Sequence, residues 1–391
     1  MHMNVGQERR YVNNTSESAS VTTGVLGGSL DVVKSGQVPS PLSLTPESAA
    51  GCTGYIESAN LGGGSEAAVA IACEAVVTGR HSHRVTVGYY GEGSREIWVE
   101  CFDIRSSDYG LSRIGAFKAR GAFHAIERLK QDPSFIKSGG MEKGVVGFSA
   151  GNHAQALALA SEESDIPAYI VMSDMTRPNK IAATNGYGAN VIVCPRFERE
   201  TTTAKIVADK GARLVPPFNH PDIILGQATA GLELQEQADN LDAINAPCSG
   251  TALSCEETSI RVFGAEPEFE GADDCRRGFL TSVRVTSVNT NTIANGLIGV
   301  VGEIPWSVIY ERKLVDGMFA VSEKQILEPT RLILERLKMV VEPAAAVSLA
   351  VALYNEEFRQ MVEKEASEKG WDLGLILSGN VSTDGLAKLF W

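Results

Sequence analysis

The stretch Val145-Val146-Gly147-Phe148-Ser149-Ala150-Gly151-Asn152-His153-Ala154-Gln155 decides how this chain is read. Residues 145–148 form a short apolar run, the length of a buried strand. Small residues then make a turn, and Asn152 to Ala160 follows a helical pattern. Ser149 can cap that helix, and successive backbone N–H groups at a helix start favour an anion. The unit recurs downstream. Strands are expected at Ala168–Met172, Val191–Cys194 and Arg213–Val215, with helices at Lys180–Gly188, Glu198–Lys210 and Ile224–Ala238. Further strands are expected at Ala243–Pro247, Ile260–Ala265 and Leu373–Leu377, with helices at Glu323–Lys338 and Pro343–Glu365. Short apolar strands alternating with helices imply an α/β chain on parallel, doubly wound sheets.

The 391 residues are enough for two domains, and 43% of them are apolar. A formal charge of −13 argues against a basic footprint for nucleic acid. Seven cysteines show no paired spacing and no ligand spacing with the six histidines, which suits a reducing compartment. No basic segment precedes an apolar one at the start, and no apolar run is long enough to span a bilayer. The expectation is a cytoplasmic protein with no membrane or nucleic-acid partner. Residues 1–94 read as a leader, largely disordered or irregular, with a helix expected at Glu66–Val77. Packed composition begins at Arg95, with a strand at Glu96–Phe102.

Between that strand and Val145 lies Ser112-Arg113-Ile114-Gly115-Ala116-Phe117-Lys118-Ala119-Arg120-Gly121-Ala122. Lys118 stands where a loop becomes a helix, and Ala119, Ala122, Phe123, Ile126 and Leu129 recur behind it at helical spacing. Small residues crowd its approach, leaving room for a flat ligand. This segment and residues 148–155 together resemble the fold-type II pyridoxal phosphate enzymes of the serine/threonine dehydratase and serine racemase family, which have the tryptophan synthase beta-like fold. The resemblance runs from about Glu96 to Phe390. In the family's order it includes Pro167, Lys180, Gly188-Ala189, a turn at Gly226-Gln227-Ala228-Thr229 and Gly264-Ala265-Glu266-Pro267. Ala272-Asp273-Asp274, Val341-Glu342-Pro343-Ala344 and Ser378-Gly379-Asn380 complete it.

The resemblance implies two open-sheet domains: a large one from 95–140 and 222–391, and a small one from 141–221. It implies that Lys118 is the Schiff-base lysine and removes the substrate's α-proton, with Phe117 beneath the cofactor ring. Asn152 would donate to the ring's phenolic oxygen, and Ser378 would hydrogen-bond the pyridine nitrogen. Ser149, Ala150, Gly151 and His153 would meet the substrate. Glu266, the Ala272 carbonyl and Asp274 resemble the family's divalent-cation site, a hard-oxygen set suited to Mg²⁺ or Ca²⁺. Cys275 stands too far in sequence from other soft ligands to suggest zinc. The implied activity is β-elimination of water from L-serine or L-threonine, by a homodimer. Racemases of the family have a second serine where this chain has Ala150, and alanine carries no proton. Phe218 resembles the dehydratase branch, with core packing an equal reading.

The chain also departs from the family. Four glycines that would cradle the cofactor phosphate are replaced by Cys248-Ser249-Gly250-Thr251, leaving Ser249 and Gly250 as phosphate contacts. Losing several converging N–H donors costs several times ~1.5 kcal/mol. The closing motif at Ser378 has one glycine where the family has two, and Asn295 replaces an aspartate. A catalytically impaired or non-catalytic relative therefore stays open beside the lyase, as do a serine racemase and a 3-hydroxyaspartate dehydratase.

Overall fold

β-Branched and apolar runs bounded by glycine or proline become the strands of two sheets. A computed structural model describes residues 69–72, 82–89, 94–101, 114–238, 241–249, 259–366 and 370–379. All of these fall in one compact unit, Cys52–Trp391. β1 (Val69–Ala72), β2 (Ser82–Tyr89) and β3 (Ser94–Cys101) open the larger sheet. β4 (Val145–Phe148), β5 (Ala168–Ser173), β6 (Asn190–Cys194) and β7 (Arg213–Leu214) form a separate four-stranded sheet. β8 (Ala243–Pro247), β9 (Arg261–Pro267), β10 (Gly317–Val321) and β11 (Leu373–Leu377) complete the larger one.

The larger sheet has the order β1-β2-β3-β11-β8-β9-β10, and the smaller β6-β5-β4-β7. The smaller sheet is parallel throughout. In the larger sheet β3, β11, β8, β9 and β10 run parallel, and β1 and β2 add an antiparallel edge. The chain is thus α/β with parallel-sheet domains, as the alternation of strand and helix implies.

The helix Pro343–Tyr354 is the centre of the larger core. It buries every residue from Pro343 to Leu353 and packs on β8, β9, β10 and β11. A helix apolar on all faces belongs inside a protein. The helix Lys118–Gln131 buries Ala119, Ala122, Ala125, Ile126 and Leu129 against the smaller core with Leu157 and Ile170. It also packs on the helix Pro221–Gln237. Gly226 makes that crossing possible: a Cβ there would stand 2.6 Å from both Arg120 O and Gly121 Cα. Gly226-Gln227-Ala228-Thr229 is therefore helical, not a turn.

Four other expectations change. Val69–Ala72 is a strand, where a helix was expected over Glu66–Val77, so regular structure begins before Arg95. β10 is a strand not among those expected, although Met318-Phe319-Ala320-Val321 is an apolar run; it pairs parallel with β9. The helix expected over Pro343–Glu365 breaks at Asn355, whose Oδ1 accepts from Phe358 N at 2.9 Å and caps a second helix, Glu356–Glu365. The α-helix expected over Glu323–Lys338 ends at Leu332 and widens into a π turn. Residues 1–68, and with them most of the leader, lie outside the described residues.

Candidate active site

Lys118 is the first residue of its helix, after Phe117. Two backbone pairings fix the loop ahead of it. Ala116 forms an isolated bridge with Gly379, and Phe117 N donates to Ser378 O at 3.3 Å. The lysine loop is thereby held at the end of β11, which carries Ser378. The Lys118 ammonium lies 4.9 Å from the centre of the Phe117 ring and donates to Pro217 O at 3.1 Å. Burial lowers its pKa from 10.5 to about 8, and the nearby Glu342 carboxylate partly opposes this. A buried amine titrating near neutrality is one that can act as nucleophile and base.

On the opposite wall, the helix Asn152–Glu162 starts behind β4, with Gly151 as its N-cap. Ser149 does not cap the helix itself; its Oγ accepts from Gly151 N at 3.2 Å, tightening the turn. Asn152 Nδ2 donates to Glu342 Oε1 at 3.0 Å, and Glu342 N donates to Gly379 O at 3.0 Å. Burial raises the Glu342 pKa, against the pull of Lys180, Asn152 and Lys118. A Cβ at Gly379 would meet Asn152 Nδ2 and Glu342 Oε1 at 2.8 Å, so only glycine leaves that space open. Lys118, Asn152, Glu342, Gly379 and Ser378 therefore converge.

Other expected residues sit elsewhere. His153 is buried, and its Nε2–H donates to Val215 O at 3.1 Å. Burial and the Lys118 charge lower its pKa to about 3. It is a neutral ring anchoring the Asn152–Glu162 helix, where the family resemblance implied a substrate contact. Ser249 Oγ donates to Gly299 O at 2.8 Å, so its proton is directed at a carbonyl and not at an anion. Gly250 lies outside the described residues.

At the far end of β9, Glu266 accepts from Cys275 N at 3.2 Å and Arg276 N at 2.8 Å, and Asp274 accepts from Val301 N at 2.9 Å. Burial raises Glu266 well above the carboxylate range and Asp274 to about 6. Ala272 is buried between them in sequence. Cys275 is not isolated from soft ligands. Cys248 Sγ, Cys275 Sγ and a Glu266 carboxylate oxygen all lie within 4.8 Å of one another. Sequence distance hid this, because β8–β9 pairing is what brings Cys248 to Glu266.

Two contributors had no role in the sequence reading. Glu342 and Lys180 were part of the spaced pattern, and the structure sets both beside the lysine wall. The signal for Glu342 was an acid directly before the proline that opens an apolar helix. The Pro217 carbonyl carried no sequence signal.

Comparison with known proteins places this arrangement. The family described as pyridoxal-phosphate dependent enzyme matches residues 108–379. The chain is 38% identical over 292 residues to an L-threo-3-hydroxyaspartate ammonia-lyase of Saccharomyces cerevisiae, covering 71% of this chain and 83% of that one. It is 37% identical over 308 residues to a serine racemase of Dictyostelium discoideum, covering 75% and 87%. The solved structure of maize serine racemase superposes with a TM-score of 0.65 at 33% identity, covering 75% of this chain and 86% of that one.

Proposed function

Because the chain belongs to the pyridoxal-phosphate dependent enzymes, we propose that it is an ammonia-lyase. It would eliminate water from a small β-hydroxy-α-amino acid, L-serine or L-threonine, and the released enamine would then take up a water on hydrolysis, giving a 2-oxo acid and ammonia. The observation that carries this reading is the buried Lys118 amine with its pKa near 8, in a chain whose Ala150 has no proton to give.

The residues present fit the cofactor at its ring end. Lys118 is a desolvated amine, Phe117 offers a flat face beside it, and the absence of a Cβ at Gly379 lets Asn152 and Glu342 pack against that backbone. The phosphate end would fall on Ser249 and Gly250, of which Gly250 lies outside the described residues. Pyridoxal phosphate, when bound, supplies an electron sink for the bond broken at the substrate's α-carbon.

The chain's own residues supply position and proton transfer. Lys118 Nζ takes the α-proton and returns it to the departing hydroxyl, which leaves as water. The substrate carboxylate would sit at the start of the helix Asn152–Glu162, whose first-turn N–H groups favour an anion, while the Gly151 N–H is held by Ser149 Oγ. Asn152 keeps the orientation that its bond to Glu342 gives it. Ser378, directly after β11, would hydrogen-bond the ring nitrogen of the bound cofactor. The same proposal takes 141–221 as the small domain, with the cofactor in the cleft beside 95–140 and 222–391. It also takes the protein as a homodimer, which light scattering tests.

One observation favours a second substrate. The Lys180 ammonium stands 3.7 Å from where a Gly151 Cβ would lie. A second substrate carboxylate, as in L-threo-3-hydroxyaspartate, would find a cation there, and the yeast relative bears that substrate's name.

The test is to add pyridoxal phosphate to the full chain, with Lys118→Ala as control, and record the visible band of lysine-bound cofactor. No band at saturating cofactor ends the enzyme reading. With the band present, 2-oxo acid is assayed from serine, threonine and 3-hydroxyaspartate. Faster turnover of 3-hydroxyaspartate selects the second substrate. A band without product marks a non-catalytic relative.

A further inference from the structure

The fold brings together two cysteines that sequence spacing keeps apart. Cys248 follows β8, and its N–H donates to Ala265 O at 2.8 Å, which sets it beside Glu266. Cys275 lies in the first turn of the helix Asp274–Thr281, and its N–H bonds Glu266 Oε1. The Cys248 thiol points at Ser249 O, 4.0 Å away, with the Cys275 sulfur within 4.8 Å of it. Cys248, Glu266 and Cys275 are all buried, and so is Asp274.

We propose that Cys248, Cys275 and Glu266 form a site for a soft divalent cation of the zinc class, with Asp274 or water closing a four-coordinate shell. The three ligand atoms already stand within 4.8 Å of one another. Tetrahedral zinc with bonds of about 2.0–2.3 Å needs its ligand atoms roughly 3.5 Å apart, so a shift of about 1 Å closes the site. Two backbone N–H bonds hold the Glu266 carboxylate in place, the outer support that metal ligands need. A dication also offsets the cost of burying Glu266 beside Asp274. Thiolates select zinc over Mg²⁺ and Ca²⁺. The hard-oxygen set of Glu266, Ala272 and Asp274 shares Glu266 with this site, so the two sites compete. The proposal is independent of the catalytic reading, because metal content and coordination report on it directly.

The test uses the full chain, reduced, loaded with pyridoxal phosphate and stripped of metal by a chelator. Zn²⁺ is added with on the order of a hundredfold excess of Mg²⁺ and Ca²⁺. Zinc is expected to stay with the chain through gel filtration, in equal proportion. X-ray absorption should show sulfur neighbours at about 2.3 Å. Cys248→Ala and Cys275→Ala should each lower zinc affinity at least about tenfold, while Cys194→Ala leaves it unchanged. Displacement of zinc by Mg²⁺ or Ca²⁺ overturns the proposal, as does a zinc shell without sulfur. Retention that survives both substitutions overturns it too. Circular dichroism checks that the variants fold; if either does not, the wild-type absorption spectrum decides alone.

Discussion

Asn152 and Glu342 stand 190 positions apart in sequence, and one hydrogen bond of 3.0 Å joins them beside Lys118. Asn152 opens the helix that follows β4 of the smaller sheet. Glu342 precedes the buried helix of the larger one. Because Glu342 also influences the Lys118 charge, this bond links the position of one wall to the protonation of the other.

The Lys118 amine must be neutral to attack an aldehyde. With its pKa near 8, the rate at which cofactor attaches should rise with pH and level off above that value. Stopped-flow absorbance of the visible band across pH measures this. Lys118→Ala should abolish the band at every pH.

Glu342→Gln keeps an oxygen for Asn152 but removes the carboxylate that raises the Lys118 pKa. The inflection in cofactor attachment should therefore move below 8. An unchanged inflection would show that the carboxylate does not act on the lysine.

Burial lowers His153 from 6.5 to about 3. Between those values the unfolded chain binds a proton that the folded chain refuses, so stability falls as pH falls, by up to about 1.4 kcal/mol per pH unit. Asp274, raised from 3.8 to about 6, acts in the opposite sense, because its folded state keeps a proton that the unfolded chain releases. The two slopes oppose each other in the wild type. His153→Gln should remove one and leave the protein relatively more stable in acid, as read by denaturant titrations along pH.

Gly379→Ala would drive a methyl group to 2.8 Å from Asn152 Nδ2 and Glu342 Oε1. A cost of about 1–3 kcal/mol is expected, seen as a lower melting temperature. Cofactor retention should fall with it, since the displaced groups line the lysine site.

Ala150→Ser places a hydroxyl in the turn ahead of the helix Asn152–Glu162. On the lyase reading, the wild type forms little D-serine from L-serine and the variant forms more. Chiral chromatography of the products checks this, and appreciable D-serine from the wild type would refute the role given to Ala150.

Much of this molecule was legible in the residues. Apolar runs at 145–148, 243–247 and 373–377 became strands with those bounds, because buried parallel strands require short apolar runs. Lys118 at a helix start was legible for the same local reason. Contacts made by strand register were not. His153 turns to Val215 because that carbonyl needs a donor inside the core, while its sequence neighbours suggested a ligand contact.

The sequence by itself determined the alternation of strand and helix, the family pattern and the place of Lys118 at a helix start, since periodicity and spacing are local properties of a chain. Only the tertiary structure decided that Glu342 meets Asn152 and that Cys248 meets Cys275. Those pairs depend on which strands lie side by side and in what register, and burial then sets the charge each group can hold.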